Sequence, residues 1–231
     1  MSLVLDQVQL DFDEFHLRAD LKVEKGEVLA VIGPSGGGKS TLLSVIGGFL
    51  MPDHGRIGWD GADLTALTAS ARPVSMVFQE HNLFPHLTAF QNVALGVAPS
   101  MRLNQEEHAA VMAALEQVGL EGLDARKPAE LSGGQRGRVA IARVLVMARP
   151  VLLLDEPFAA LGPALRQEML GLVREVARDR DLTVLLVTHQ PDDALRADRV
   201  VLVENGTVGT PQDCAEAFAN PEPALAAYLG K

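Results

Sequence analysis

Apolar and polar residues alternate over the first part of the chain, before and after a turn predicted from Asp11 to Phe15. The apolar positions are Leu3, Leu5, Val8, Leu10, Leu17, Ala19, Leu21 and Val23. A spacing of mostly two predicts two half-buried antiparallel strands. Farther along, the segment 55–61 reads as a short strand that closes on an Asp60-Gly61 turn.

Continuous apolar runs predict a second set of strands that are buried on both faces. These runs cover 28–32, 74–78, 151–155 and 183–188, and a further strand at 200–204 ends on an Asn205-Gly206 turn. Helical patterns separate several of them, which is typical of an α/β protein with a mainly parallel sheet.

Helical spacing is predicted over 87–95, 105–118 and 139–147, and from Pro163 onward. The last of these helices carries Leu165, Met169, Leu172 and Val176 on one face. Residues 81–130 lack strand patterns, which indicates a helical insertion. We therefore predict a single domain, 1–231, with a core at about 1–80 and 136–231, a small antiparallel sheet and a helical subdomain at about 81–135.

The composition of the chain excludes several classes of protein. The net charge of −10 argues against a general nucleic-acid binder, and one cysteine, Cys214, precludes an internal disulfide. The sequence also lacks a transmembrane-length apolar run and a signal-peptide pattern at its start. These features predict a soluble cytosolic protein.

A glycine-rich segment follows the first buried run and precedes a helix. It comprises Gly33, Pro34, Ser35, Gly36, Gly37, Gly38, Lys39 and Ser40, followed by Thr41. The spacing G-x-x-x-x-G-K-S between a strand and a helix is typical of a phosphate-binding loop. Backbone N–H groups would surround the phosphates, Lys39 would reach the β- and γ-phosphates, and Ser40 would face Mg²⁺. The alternative is an ordinary glycine-rich turn.

Two further segments fit a nucleotide site. Asp155 and Glu156 end a buried strand, at the carboxyl edge of the predicted sheet. This position favours Asp155 as a Mg²⁺ ligand and Glu156 as the general base that activates water. The alternative is that both residues are simply acids in a polar turn, without a functional role. Ser132, Gly133, Gly134 and Gln135 open a helix and form a second possible anion site, which suggests that they serve a nucleotide on another copy.

The chain as a whole resembles the nucleotide-binding subunits of ATP-binding-cassette (ABC) transporters, which have a P-loop NTPase core. The resemblance rests on five segments in the family's order: GPSGGGKST, VFQE, LSGGQRGRVAIARVL, LLLDEP and LLVTHQ. It implies an ATPase whose homodimer holds two ATP molecules, each between one phosphate loop and the partner's 132–135 segment. It also implies that Gln79 contacts Mg²⁺ and the attacking water, and that His189 contacts the γ-phosphate and positions Glu156.

This sequence matches the family's pattern incompletely at two positions. An aromatic ring stacks on adenine in the family, and Phe12 is the best match, with Phe15 second; either ring could instead be core packing. The family's S-A-L-D motif is replaced by Ala159-Ala160-Leu161-Gly162, so the aspartate that helps to couple the two ATP sites is missing.

The resemblance also implies the partners: membrane permease subunits and a periplasmic solute-binding protein, with this chain on the cytoplasmic face of a bacterial inner membrane. The stretch 80–88 would form the permease groove, although Leu83, Phe84 and Leu87 fit subdomain core equally well. Longer runs such as GGFLMPDHGRIGWDG resemble ATPases of thiamine importers. Iron, sulfate and polyamine importers share much of this sequence, and a non-transport regulatory ATPase is a further alternative.

Overall fold

The computed structural model describes residues 1–12, 15–78 and 82–230. Its strands are β1 (Ser2–Phe12), β2 (Phe15–Glu24), β3 (Val28–Ile32), β4 (His54–Trp59), β5 (Ala62–Asp63), β6 (Val74–Val77), β7 (Val151–Asp155), β8 (Thr183–Val187), β9 (Arg199–Glu204), β10 (Thr207–Val208) and β11 (Gln212–Asp213). Its α-helices are α1 (Lys39–Gly47), α2 (Ala89–Ala94), α3 (Gln105–Gln117), α4 (Gly133–Met147), α5 (Pro163–Arg180), α6 (Pro191–Ala194), α7 (Cys214–Ala219) and α8 (Pro223–Leu229). A 3₁₀ turn spans Pro128–Glu130.

The strands form one continuous mixed sheet in the order β5-β4-β1-β2-β10-β9-β3-β8-β7-β6, and β11 pairs with β9. The pairs between β9, β3, β8, β7 and β6 are parallel, whereas β1, β2, β4 and β5 pair antiparallel. This confirms the predicted α/β fold with a parallel core and an antiparallel sheet. Because the parallel strands run the same way, their carboxyl ends share one edge.

Alternate residues of the parallel strands face two different hydrophobic clusters. In β3, Val28, Ala30 and Ile32 belong to the cluster that contains the buried faces of α2 to α5. Leu29 and Val31 belong to the other cluster, which lies between the parallel strands, α1 and the antiparallel strands. Both faces of the core sheet are therefore covered, which explains why these strands are continuously apolar.

The predicted strands and helices are present, with small differences in detail. The three-residue step from Leu5 to Val8 is a β-bulge, with Gln7 at φ 47°. Within the predicted 11–15 turn, Asp11 and Phe12 belong to β1 and Phe15 belongs to β2, and Phe12 pairs with Phe15; residues 13 and 14 lie outside the described residues. The Asp60-Gly61 turn has positive φ at both residues, as a type I′ hairpin requires.

The apolar face predicted for α5 packs on the hydrophobic core. The buried residues of this helix are Met169, Leu170, Val173, Val176 and Ala177, while Leu165 and Leu172 are only partly buried. All four predicted apolar residues therefore face the core, and the fully buried stripe extends to one side of them. No helix in the described ranges has the length and apolarity needed to cross a membrane.

Candidate functional site

The glycine-rich loop joins the end of β3 to the start of α1, as its sequence predicts. Gly38 precedes the helix at φ 108°, and the first turn of α1 contains no acidic residue. The free N–H groups of that turn therefore present an unopposed positive dipole end. A β-carbon at Gly33 would lie 2.0 Å from the carbonyl oxygen of Val203 on β9, so the loop needs glycine there.

Lys39 lies buried within this loop. Its Nζ donates to the carbonyl oxygens of Gly33 at 2.9 Å and Pro34 at 2.8 Å. Burial lowers the pKa of Lys39, and the charges of Glu156 and Asp155 oppose that shift. The lysine is thus a desolvated cation held at the phosphate loop, with two carboxylates nearby.

Ser40 and Asp155 meet where α1 begins and β7 ends. The Ser40 hydroxyl donates to Asp155 Oδ1 at 3.0 Å. Burial raises the pKa of Asp155, and the neighbouring Glu156 charge adds to the rise. A hydroxyl and a carboxylate brought together in this way supply the oxygen ligands that Mg²⁺ prefers beside phosphates, so the residues fit that ion.

Glu156 follows β7 in a left-handed conformation, with φ 45°. Its N–H donates to the carbonyl oxygen of Val187, the last residue of β8, at 3.2 Å. Its Oε2 lies 3.1 Å from His189 Nδ1. A non-glycine residue at positive φ costs about 1 kcal/mol or more and is concentrated at functional sites, so this turn aims the carboxylate at a local energetic cost.

The segment 132–135 caps α4 of its own chain. The Ser132 hydroxyl accepts from the Gln135 N–H at 3.2 Å, and Gln135 Oε1 accepts from the Ser132 N–H at 2.9 Å. A β-carbon at Gly133 would lie 2.9 Å from Leu161, and one at Gly134 would lie 2.8 Å from Leu165. Within the described ranges these polar side chains bond inside their own turn, not to the phosphate loop.

The two candidate aromatic residues have different surroundings. Phe12 is 65% exposed, whereas Phe15 is partly buried. A β-carbon at Gly38 would lie 2.9 Å from the Phe15 ring, so that ring already packs on the phosphate loop. Direct pairing of Phe12 with Phe15 puts both side chains on the same face of the hairpin, which leaves Phe12 as the accessible ring.

The remaining predicted positions are Gln79, Gly162 and the boundary of the helical subdomain. Gln79 lies outside the described residues. Gly162 is the N-cap of α5 and precedes Pro163, as predicted, and no atom lies within 4 Å of a β-carbon built on it. The predicted subdomain boundary at 135/136 falls inside α4, and it stays a prediction.

Sequence reasoning missed two polar residues around the site. Tyr228 on α8 donates its hydroxyl to the carbonyl oxygen of His189 at 3.4 Å. Asp193 accepts a hydrogen bond at 3.0 Å from Thr188, the residue directly before the histidine. No local motif marks Tyr228 or Asp193; the only available signal was a lone tyrosine near the end of the chain and an acid four residues after His189.

Comparison with known proteins adds a family-level match. The family model described as ABC transporter matches residues 17–159. The chain is 56% identical to the "Thiamine import ATP-binding protein ThiQ" of Cereibacter sphaeroides over 229 residues, which is 99% of each chain.

Solved structures agree with this match. The chain superimposes with a TM-score of 0.89 on the ADP conformation of MJ1267, an ATP-binding cassette of an ABC transporter, at 27% identity and 100% coverage of both chains. It also superimposes, with a TM-score of 0.78 and 30% identity, on the dimeric post-hydrolysis state of the cassette MJ0796 bound to ADP and Pi, covering 92% of this chain and 98% of that one.

Proposed function

Since the chain belongs to the ABC transporter family, we propose that it is the ATP-hydrolysing subunit of a thiamine importer and acts through a separate membrane permease. The arrangement at the carboxyl edge of the parallel strands carries this proposal. Three features meet there: the phosphate loop, the Ser40–Asp155 pair and the Glu156–His189 pair. Groups suited to binding phosphate therefore lie beside groups suited to activating a water molecule.

The reaction converts ATP and water to ADP and phosphate. The N-terminus of α1 and the Lys39 ammonium attract the phosphates. Glu156 accepts a proton from the attacking water as general base, and His189, 3.1 Å away, fixes the orientation of its carboxylate. When bound, Mg²⁺ neutralises phosphate charge beside Ser40 and Asp155, with Gln79 proposed as its further contact.

A homodimer completes the two nucleotide sites in this proposal. Residues 132–135 hydrogen-bond within their own turn and pack on Leu161 and Leu165 of the same chain. Their remaining polar groups are therefore available to a nucleotide on a second copy. Phe12, exposed at the end of β1, is proposed to stack on adenine, which would contribute about 0.5–1.5 kcal/mol.

The permease is proposed to dock on the surface around residues 82–88. Leu83 packs on the core, whereas Phe84 is 46% exposed. The buried Asn92 holds this loop, since its amide donates to the carbonyl oxygens of Phe84, Leu87 and Thr88 and accepts from the Phe84 N–H. A rigid loop with an exposed ring suits a permease helix, which would place the protein at the cytoplasmic face of the bacterial inner membrane.

Thiamine as the solute is supported by the 56% identity to the Cereibacter protein and the 51% identity to its Brucella abortus counterpart. The test is to reconstitute the chain in lipid vesicles with its permease and to add solute-binding protein loaded with thiamine, iron or sulfate. We expect ATP hydrolysis and solute uptake to rise only with thiamine-loaded protein. Stimulation by iron- or sulfate-loaded protein would refute the assignment, and a Glu156→Gln complex is the control for background hydrolysis.

A further inference from the structure

A polar cluster that the proposed reaction does not use lies beneath His189. It consists of Arg166 on α5, Asp193 on α6 and Thr188, which directly follows β8. Asp193 and Thr188 are buried, and the Arg166 side chain is only 15% exposed. Arg166, Asp193 and Thr188 line one narrow cleft together with Glu156 and His189. Burying two opposite charges next to the Glu156–His189 pair carries a desolvation cost. The presence of Arg166 and Asp193 at this position therefore calls for a functional reason.

Thr188 links the cluster to the histidine loop, which we define as residues 188–190. Its hydroxyl donates to Asp193 Oδ2 at 3.0 Å and accepts from the Gln190 N–H at 3.0 Å. Residues 188 and 190 flank the histidine, so these bonds restrain the backbone on both sides of it. The Asp193 carboxylate therefore fixes the backbone that carries His189.

Arg166 links the same carboxylate to the loop after Glu156. Its Nη1 lies 4.0 Å from Asp193 Oδ2, and its Nη2 donates to the carbonyl oxygen of Leu161 at 3.4 Å. Its Nε is buried without a hydrogen-bond partner in the described part of the chain. Both contacts are long, so small movements of either loop change them appreciably.

Charge keeps the two halves of this cluster together. Burial raises the pKa of Asp193, while the Thr188 hydroxyl and the Arg166 charge oppose the rise. Without Arg166, the Asp193 carboxylate would lose its buried counter-charge, so the ionised form that holds Thr188 would be destabilised.

We propose that Arg166 and Asp193 are positioning residues that hold His189 in register with Glu156 and tie the 157–162 loop to the histidine loop. Leu161, whose carbonyl oxygen accepts from Arg166, also contacts Gly133 of the 132–135 segment. A path of contacts therefore connects that segment, through Leu161 and Arg166, to the chain's own Glu156–His189 pair. This inference rests on the proposed ATPase role of Glu156 and His189, not on the identity of the solute.

The test measures ATP hydrolysis by the reconstituted complex without solute-binding protein. Arg166→Met should lower kcat about tenfold, because a misdirected catalytic group costs one to two orders of magnitude, while KM and the Kd of a non-hydrolysable ATP analogue stay within about twofold. Arg166→Lys, which keeps the charge, should recover part of the rate. Asp193→Asn removes the charge that pairs with Arg166 at nearly unchanged side-chain size, so it should reproduce the loss without unfolding the protein.

Arg199→Gln is the matched control. It breaks the Arg199–Glu27 ion pair of 2.7 Å, which is partly buried at the opposite edge of the parallel strands. It should lower the melting temperature but leave kcat unchanged. In a His189→Ala background, Arg166→Met should change kcat less than about twofold further, since both act through the same group.

Two results would overturn the inference. One is an equal loss of kcat in Arg166→Met and Arg199→Gln; the other is a full additive loss in the His189→Ala background. A wild-type complex that hydrolyses ATP without any response to thiamine would count against the proposed solute alone, so the two failures are distinguishable.

Discussion

Because Glu156 is proposed as the general base, replacing it by glutamine is expected to separate ATP binding from hydrolysis. The amide keeps the shape of the side chain and an oxygen facing His189 Nδ1, which lies 3.1 Å from the native carboxylate, but it cannot accept a proton from water. Loss of a general base costs about 10²- to 10⁴-fold in rate, which corresponds to about 3–5 kcal/mol of transition-state stabilisation.

Stability should change little in this variant. Glutamine has the same backbone cost at φ 45° as glutamate, and it removes the like charge that helps to raise the pKa of Asp155. We therefore expect a free energy of unfolding within about 0.5 kcal/mol of wild type, or slightly above it. Because the phosphate loop is untouched, the variant should bind ATP normally and accumulate as an ATP-bound dimer.

The assay combines steady-state phosphate release, ATP-analogue binding and size-exclusion chromatography with ATP. Glu175→Gln, an exposed carboxylate on α5, is the matched control and should behave like wild type. Hydrolysis by Glu156→Gln within about threefold of wild type would refute the assignment of the base, since a lost general base costs far more. Joint loss of ATP binding and dimer formation would show that the carboxylate is needed for assembly instead.

Three further outcomes are expected. Gly162→Asp places a carboxylate in open space at the N-cap of α5, so the free energy of unfolding should stay the same or rise by a few tenths of a kcal/mol. The ATPase rate or its cooperativity should rise. Hill coefficients and rates identical to those of wild type would mean that the carboxylate is unnecessary. Burial raises the pKa of Cys214 to about 11, so the folded state holds this proton more tightly and loses on the order of 3 kcal/mol of stability as pH rises through the range from 9 to 11. Denaturant titrations should find that Cys214→Ala lacks this loss; parallel curves would contradict it. Phe12→Ala should weaken ATP-analogue binding about two- to tenfold at unchanged thermal stability, and an effect on stability alone would assign the ring to packing.

Local signals allowed much of the fold to be predicted. Continuous apolar runs indicated β3, β7 and β8, and Pro163 marked the first residue of α5, because these features act within a few residues. The full width of the buried stripe of α5 was not apparent from the sequence, because Leu170, Val173 and Ala177 lie beside the predicted face and are buried only through packing against neighbouring elements.

The chemistry-bearing motifs were also readable, since a phosphate loop and a strand-terminal Asp-Glu pair are contiguous. The sequence did not reveal the positive φ of Glu156 or the hydrogen bond from its N–H to Val187 at the end of β8. It also did not reveal the links from Arg166 to Asp193 or from Tyr228 to His189. These contacts join positions 27 and 39 residues apart, so they depend on how packed helices and strands meet.

The close fit between the phosphate loop and β9 decides which variants can serve as inactive controls in transport experiments. A side chain at Gly33 would collide with the backbone of Val203, and one at Gly37 would approach the same carbonyl oxygen to 2.7 Å. Variants at these glycines would lose transport because the sheet is displaced, and their low protein yield would be mistaken for a defect in nucleotide use. Charge-neutral replacement of the proposed base Glu156 should leave the backbone intact, so the loss of transport expected in that complex would report on chemistry alone.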